Sequence, residues 1–457
     1  MKITTIILAA GKGTRMRSDL PKVLHKVANK SLLQHAYDMS SQLENNRIHI
    51  VVGHCCELVK ETLKDLDTDW IEQNQQLGTG HAVQQARDHI QDDDVVLILY
   101  GDVPLLKLAT VKTLLTNVTA RSLALLTVNL ENPAGYGRIV RNAQSQVVKI
   151  VEEKDASATE KQIKEGNTGI MAVQGGQLKN WLDQLSNNNA QGEYYLTDVI
   201  EMAVAEGVLI VTSQPETADE VLGVNDRSQL SYLERVYQQE QANYLMQQGV
   251  TLKDPARFDL RGSIDKLGQD IEIDVNVILE GKNSFGSHVK IGPNTSIKNS
   301  IIGDRVEILA NCIIEDAVIG QGSRIGPYAR LRPETVLAND VHIGNFVEIK
   351  KSTVGVSSKI NHLSYIGDAT VGSKVNVGAG TITCNYDGIN KSRTIIEDGA
   401  FIGSNTQLVA PVTVGENATI GAGSTITKDA PANQLTLSRL KQVTVAGWQR
   451  PVKKGQS

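Results

Sequence analysis

From about residue 270 the chain repeats itself. Ile or Val followed by Gly recurs at Ile291, Ile302, Ile319, Ile325, Ile343, Val354, Ile366, Val371, Val377, Ile402, Val414 and Ile420, mostly at spacings close to multiples of six. A short apolar segment of this kind cannot bury its inner side alone, so successive coils must stack. The pattern therefore predicts an all-β parallel β-helix of hexapeptide repeats. Inward Ile and Val leave a narrow interior, in keeping with an aromatic content of only 4% and 39 glycines. One interval, Val377 to Ile402, runs a residue over four hexapeptides, and its middle, Cys384–Thr394, lacks the pattern. We expect a loop thrown out of the solenoid there.

The first half has a different rhythm. Up to about residue 225, apolar runs at Ile3–Ala10, Ile48–Val52, Val95–Tyr100, Leu123–Val128 and Ile170–Val173 alternate with amphipathic stretches. Alternation of this kind predicts a Rossmann-like α/β domain with a mostly parallel sheet. Ligands on such sheets sit at the carboxyl ends of strands. Residues 229–249 read as one connecting helix, with Leu230, Leu233, Val236, Tyr237, Tyr244 and Leu245 on one face and Gly249 as its stop. The expected division is thus 1–228, 229–249 and 250–457.

The net charge of −5 argues against nucleic acid as a partner. Lys453 and Lys454 read as a solvated tail. The cysteines Cys55, Cys56, Cys312 and Cys384 have neither zinc spacing nor the density of a disulfide framework. No run approaches the ~20 apolar residues of a membrane span. The opening apolar run stops at Ala10, before a Gly-Lys-Gly-Thr-Arg turn that is no cleavage site. A cytoplasmic protein without a membrane span is expected.

Chemistry concentrates first at Leu8-Ala9-Ala10-Gly11-Lys12-Gly13-Thr14-Arg15-Met16, followed by Pro21-Lys22. A strand feeding a glycine turn lets backbone N–H groups close on phosphate oxygens, while Arg15 and Lys22 neutralise a departing pyrophosphate. The spacing is neither a P-loop nor a dinucleotide fingerprint, whose third Gly would replace Met16. Tyr100-Gly101-Asp102 ends another apolar strand. A lone Asp there is usually a turn residue, but beside a triphosphate loop it offers Mg²⁺ one carboxylate, with phosphate and water completing the shell. Gln73 and the run Leu77-Gly78-Thr79-Gly80-His81 offer an amide, a hydroxyl and bare backbone to a base edge.

The first motif resembles the signature of sugar-1-phosphate nucleotidyltransferases. Further along come Q-x-x-x-L-G-T-G-H-A, Y-G-D-V-P-L, G-Y-G-R-I, I-V-E-E-K-D-A, N-T-G-I, N-A-Q-G-E-Y-Y-L-T-D and G-V-N-D-R. With the repeats, the chain resembles nearly end to end the bacterial GlmU family of bifunctional UDP-N-acetylglucosamine pyrophosphorylases and glucosamine-1-phosphate acetyltransferases. The resemblance implies a left-handed solenoid, assembly as a homotrimer through it, Mg²⁺, and UTP and acetyl-CoA as co-substrates. It assigns UTP to Leu8, Ala9, Ala10, Gly11, Gln73, Gly78 and Thr79, alongside Tyr100 and Gly101. It gives phosphate to Arg15 and Lys22, and the metal to Asp102 and Asn225. Gly137, Glu152 and Asn167 take the amino-sugar phosphate.

In the solenoid the same resemblance makes His362 the base that deprotonates an amine as it attacks a thioester. An imidazole with a reference pKa of about 6.5 suits that task. Sugar phosphate falls to Arg332, Lys350, Tyr365 and Asn376, and acetyl-CoA to Ala379, Asn385, Tyr386, Ser404, Ala422 and Arg439. Read alone, the cations are solvated loop ends and His362 is a structural histidine. Cys384 as a covalent acyl carrier is the rival chemistry. Two rival functions stand beside the bifunctional one. One is a single-activity nucleotidyltransferase whose β-helix only assembles a trimer. The other is a non-catalytic scaffold, which would be expected to lose Arg15, Lys22, Asp102 or Asn225, all present here.

Overall fold

The computed structural model describes residues 1–439, 441–451 and 453. The chain divides between Tyr237 and Gln238 into two compact units.

In the first unit, the main sheet strands are β1 (Ile3–Ala9), β2 (Asn46–Val52), β3 (Asp69–Glu72), β4 (Val95–Tyr100), β5 (Ser122–Asn129), β6 (Arg138–Arg141), β7 (Val147–Val151), β8 (Glu165–Gln174) and β9 (Leu209–Ser213). Their order is β9-β5-β8-β4-β1-β2-β3, with β6 and β7 branching from β8. Strand β8 runs antiparallel to β4 and β5; the other neighbours on that path are parallel. Every residue of β1 is buried, because helices cover both faces. Ile7 and Ala9 enter one apolar cluster, Ile6 and Leu8 the other, as the two-residue period of a strand requires. Leu8 lies beside Tyr100 in register, so the chain leaves β1 and β4 at the same end of the sheet.

A helix over Arg227–Gln247 carries the chain across the division, starting two residues before the expected Ser228–Gln229 boundary. Gly249 follows with φ +92. Leu233 and Leu245 are buried as expected, but Tyr244 is 57% exposed. Ala242 and Gln238 are buried instead, since the 3.6-residue period rotates position 244 off the face that holds 238, 242 and 245.

The second unit is a parallel β-helix. Ile291, Ile308, Ile325, Ile343, Ile360, Val377, Ile402 and Ile420 stack strand on strand in one ladder. Hydrogen bonds join residues 17 or 18 positions apart, so three hexapeptides complete a coil. Two further ladders close the prism. Each Ile or Val of the Ile-Gly and Val-Gly series is buried. Replacing one by Ala would cost roughly 2–5 kcal/mol through the cavity left between coils. The loop is narrower than expected. Cys384 ends one strand and Thr394 begins another, and an antiparallel bridge from Tyr386 to Lys391 closes the segment between them.

None of the four cysteines is in a disulfide. No helix among the described residues is long and apolar enough to cross a membrane. Lys453 is exposed, and Lys454 lies outside the described residues.

Candidate active sites

The loop after β1 is shaped by three local events. Gly13 takes φ +59, and a Cβ there would lie 2.5 Å from the Lys22 Cβ, so only glycine lets the turn close on Lys22. Thr14–Met16 then form a 3₁₀ turn whose Met16 is 1% exposed, packed among Val27, Leu32, Leu105, Val224 and Leu233. That anchor leaves the neighbouring Arg15 exposed. A second 3₁₀ turn, Lys22–Leu24, is entered from Pro21 and buries Val23 and Leu24, with Lys22 on the cavity wall.

The cavity has a volume of about 500 Å³, within the range of small-molecule sites. Leu8, Ala9, Ala10, Gly11, Lys22, Gln73, Gly78, Thr79, Tyr100 and Asp102 line it. Gly101 does not. Its N–H donates to the Leu8 carbonyl at 2.9 Å and ties the ends of β1 and β4 together. Gly78 has φ +110, and a Cβ would come 2.5 Å from the Tyr194 carbonyl oxygen. The amide of buried Gln73 donates to the Gly78 carbonyl at 3.2 Å and meets His81 Nδ1 at 2.9 Å. Burial lowers the His81 pKa, keeping the ring neutral so that Nδ1 can accept from Gln73.

Arg15 and Asn225 join the cavity through Lys22. Asn225 Oδ1 accepts from Arg15 Nη2 at 2.9 Å and from Lys22 Nζ at 3.3 Å, while Lys22 Nζ also pairs with Asp102 Oδ2. A carboxylate and an amide oxygen thus converge on one point now held by an ammonium. Two hard oxygen donors at an open cavity, with the remaining positions left to phosphate and water, fit Mg²⁺.

Gly137, Glu152 and Asn167 gather beside it. A Cβ on Gly137 would stand 3.6 Å from Glu152 Oε1 and from Asn167 Cβ, and the Asn167 N–H donates to the Gly137 carbonyl at 2.8 Å. Burial raises the Glu152 pKa, opposed by a 3.0 Å hydrogen bond from Thr197 Oγ1. Half-buried Tyr100 is held in its phenol form by desolvation first and then by the charges of Glu152 and Asp102. The last two residues of the run N-A-Q-G-E-Y-Y-L-T-D carry no role that is readable from sequence alone. Thr197 orients Glu152, and Asp198 is pushed up to about 6 by burial and by Glu201, Glu152 and Asp155.

In the solenoid, His362 ends the strand Lys359–His362. Asn345 lies directly beside it in the preceding coil, with Oδ1 2.8 Å from His362 Nδ1. An amide oxygen only accepts, so Nδ1 carries the proton and Nε2 offers its lone pair. Nothing in the sequence around Asn345 marks it for this role. Asn376 opens a strand on the same ladder, while Lys350 and Tyr365 belong to the ladder across the corner. Arg332 is not a solvated loop end: Nη1 donates to Glu348 Oε1 at 2.8 Å.

From His362 the corner climbs coil by coil. The Gly380 N–H donates to the His362 carbonyl, Asn405 to Ala379, Gly423 to Ser404, and Arg439 Nη1 to the Ala422 carbonyl at 3.0 Å. Ala379, Ser404, Ala422 and Arg439 therefore mark a stripe with steps of about 4.8 Å per coil. Asn385 and Tyr386 are elsewhere. They follow the strand Ile382–Cys384 at its far end, where Asn385 Nδ2 donates to Asp368 Oδ2. One chain does not bring them to the His362 corner. Burial raises the Cys384 thiol and its hydrogen bond runs to the Ile382 carbonyl, which disfavours a thiolate nucleophile.

Family patterns match three segments: a MobA-like NTP transferase domain over residues 5–164, a GMPPB C-terminal domain over 266–354, and six bacterial transferase hexapeptide repeats over 393–428. The chain is 62% identical over 453 residues to the "Bifunctional protein GlmU" of Methylococcus capsulatus, covering 99% of this chain and 98% of that one. It is 57% identical over 448 residues to the protein of the same name from Marinobacter nauticus, covering 98% of each. Among solved structures, a nucleotidyl transferase from Methanothermobacter thermautotroptrophicus aligns with 52% of this chain and 97% of its own, at 16% identity and a TM-score of 0.38. Relatives this similar over the whole length, with both halves of the pattern in place, make the chain a member of the GlmU family, whose bifunctional enzymes join a uridylyltransferase and an N-acetyltransferase in one polypeptide.

Proposed function

We propose that the solenoid acetylates glucosamine-1-phosphate with acetyl-CoA, and that residues 1–228 then join the product to UTP, releasing pyrophosphate and giving UDP-N-acetylglucosamine. Residues 229–249 would be the connector and 250–457 the acetyltransferase. The observation that carries the first site is the convergence of Arg15, Lys22, Asp102 and Asn225 on one cavity edge. For the second it is His362, its Nδ1 pinned by Asn345 at the foot of the coil-by-coil stripe.

In uridylyl transfer the sugar 1-phosphate oxygen attacks the UTP α-phosphorus in line. Lys22 exchanges Asp102 and Asn225 for phosphate oxygens, and Arg15 shares the charge that builds on pyrophosphate. Asp102 and Asn225 would hold Mg²⁺, which would supply further neutralising charge to the phosphates. Gln73, Gly78 and Thr79 orient the base, and Gly137, Glu152 and Asn167 the sugar. No covalent enzyme intermediate is needed, because positioning and charge suffice. In acetyl transfer the sugar amine attacks the thioester carbonyl while His362 Nε2 takes its proton. Collapse breaks the C–S bond, and the imidazolium returns that proton to the departing thiolate. Arg332, Lys350, Tyr365 and Asn376 hold the sugar phosphate, and the stripe holds coenzyme A.

The assembly is a homotrimer. Tyr328, Phe346 and Leu363 form an exposed apolar ridge on the His362 corner, with the first two rings stacked at 5.2 Å. A second copy that covers the ridge can also carry its own Asn385 and Tyr386 toward that corner. Phe346→Glu should give a monomer by light scattering and abolish acetyl transfer, with uridylyl transfer retained. Four reduced thiols suit a cytoplasmic setting.

The test is to incubate the protein with glucosamine-1-phosphate, acetyl-CoA, UTP and Mg²⁺ and identify products by mass spectrometry. UDP-N-acetylglucosamine formed only when acetyl-CoA is present is the expected result. A requirement for ready-made N-acetylglucosamine-1-phosphate would leave the solenoid a scaffold.

A further inference from the structure

The edge of the N-terminal sheet carries a group of side chains that neither reaction uses. His49 on β2 and Asp69 on β3 are register partners in a parallel pair, so both project on one face. His89 closes a 3₁₀ turn, Arg87–His89, packed against the same spot, with its ring centroid 4.8 Å from that of His49. The side chain of His49 is only 4% exposed, yet neither ring nitrogen makes a hydrogen bond. Its Nδ1 lies 3.2 Å from Asp69 Oδ2, but the contact lacks hydrogen-bond direction. A buried imidazole left in this state calls for an explanation.

We propose that His49, Asp69 and His89 bind a zinc-class divalent cation, with water as the fourth ligand. Their donor atoms all lie within 4.8 Å of one another. Bonds of about 2.0–2.2 Å in a tetrahedron put ligand atoms about 3.3 Å apart, which the His49–Asp69 pair already matches. Small rotations of the exposed Asp69 and His89 side chains close the remaining gaps. Burial, foremost, together with His89, lowers the His49 pKa and keeps the ring in the neutral form that a metal requires. Two imidazoles and one carboxylate favour zinc over magnesium. The other candidate group, Cys56 with Glu57 and Glu72, is less suited, since the Lys60 ammonium already pairs with both carboxylates. His49 stands three residues before the end of β2, so the ion would staple the edge strand β3 to its neighbours rather than serve the nucleotide cavity.

The test titrates the full-length protein with Co²⁺ and then Zn²⁺, in excess Mg²⁺ to fill oxygen-rich sites. One equivalent of Co²⁺ with the strong visible bands of a four-coordinate site, displaced by Zn²⁺, is expected. It should be lost in His89→Ala and in Asp69→Ala and retained in Cys56→Ser. Both alanine positions are exposed, and unchanged uridylyl transfer in those variants verifies their folding. Absence of a four-coordinate cobalt signal, its persistence in both alanine variants, or its loss in Cys56→Ser would overturn the proposal.

Discussion

His362→Ala should lower acetyl transfer by about 10²–10⁴-fold, the usual contribution of a general base, and leave uridylyl transfer unchanged. The side chain is exposed and makes its contact through Nδ1 alone, so its removal opens no cavity in the solenoid. Steady-state rates of both half-reactions on one preparation check the prediction. Asn345→Ala separates chemistry from positioning. Without the acceptor at Nδ1 the ring can take the other tautomer, so kcat should fall less than in His362→Ala, with KM for acetyl-CoA nearly constant. Cys384→Ser should keep its activity, since a half-buried thiol whose pKa is raised by desolvation is a poor acyl carrier. An equal loss in both half-reactions for His362→Ala would mean general damage and would remove the base assignment.

Lys22→Ala should produce the mirror image. Uridylyl transfer is expected to drop by about 10²–10³-fold, or roughly 3–4 kcal/mol of transition-state stabilisation, with acetyl transfer intact. Lys22 pairs with Asp102 and Asn225 before substrate arrives, so its loss leaves two oxygen donors facing each other without a cation. The Mg²⁺ concentration for half-maximal rate should therefore not rise even as kcat collapses. A variant that merely needs more Mg²⁺ would indicate that Lys22 organises the metal ligands instead of neutralising pyrophosphate.

How far the sequence could be read depended on the range of each interaction. The inward Ile and Val of the solenoid are legible because stacking forces one short period on the chain, and every residue of that series is buried. The loop after β1 is legible because glycine spacing, cations and a preceding apolar strand lie within a few residues. Asn345 is not, because it meets His362 laterally, one whole coil away, and no local pattern marks which polar residue of a coil will face the next. Arg332 looks like a solvated cation for the same reason, its partner Glu348 being sixteen residues on. Thr197 and Asp198 lie inside a quoted motif, yet the hydrogen bond of Thr197 to Glu152 and the charge of Glu152 on Asp198 depend on a fold that brings positions 152 and 197 together. His49 is a polar residue in an apolar strand, and only its partner in register gives it a chemical context.

The coil-by-coil stripe makes the solenoid a ruler. Each coil advances the corner by one strand spacing, and the residues placed along it depend on every coil between them keeping its length. Deleting a single residue from any strand between His362 and Arg439 would rotate all later inward positions outward and shift the marks beyond it. The loop between Cys384 and Thr394 is exempt, because Thr383 and Thr394 resume pairing with Leu408 and Val412 on either side of it. Length variation in this half of the molecule therefore falls at the corners, where coils of 17 and 18 residues stack alike, and at the loop, where the chain leaves the ruler and returns to the same graduation.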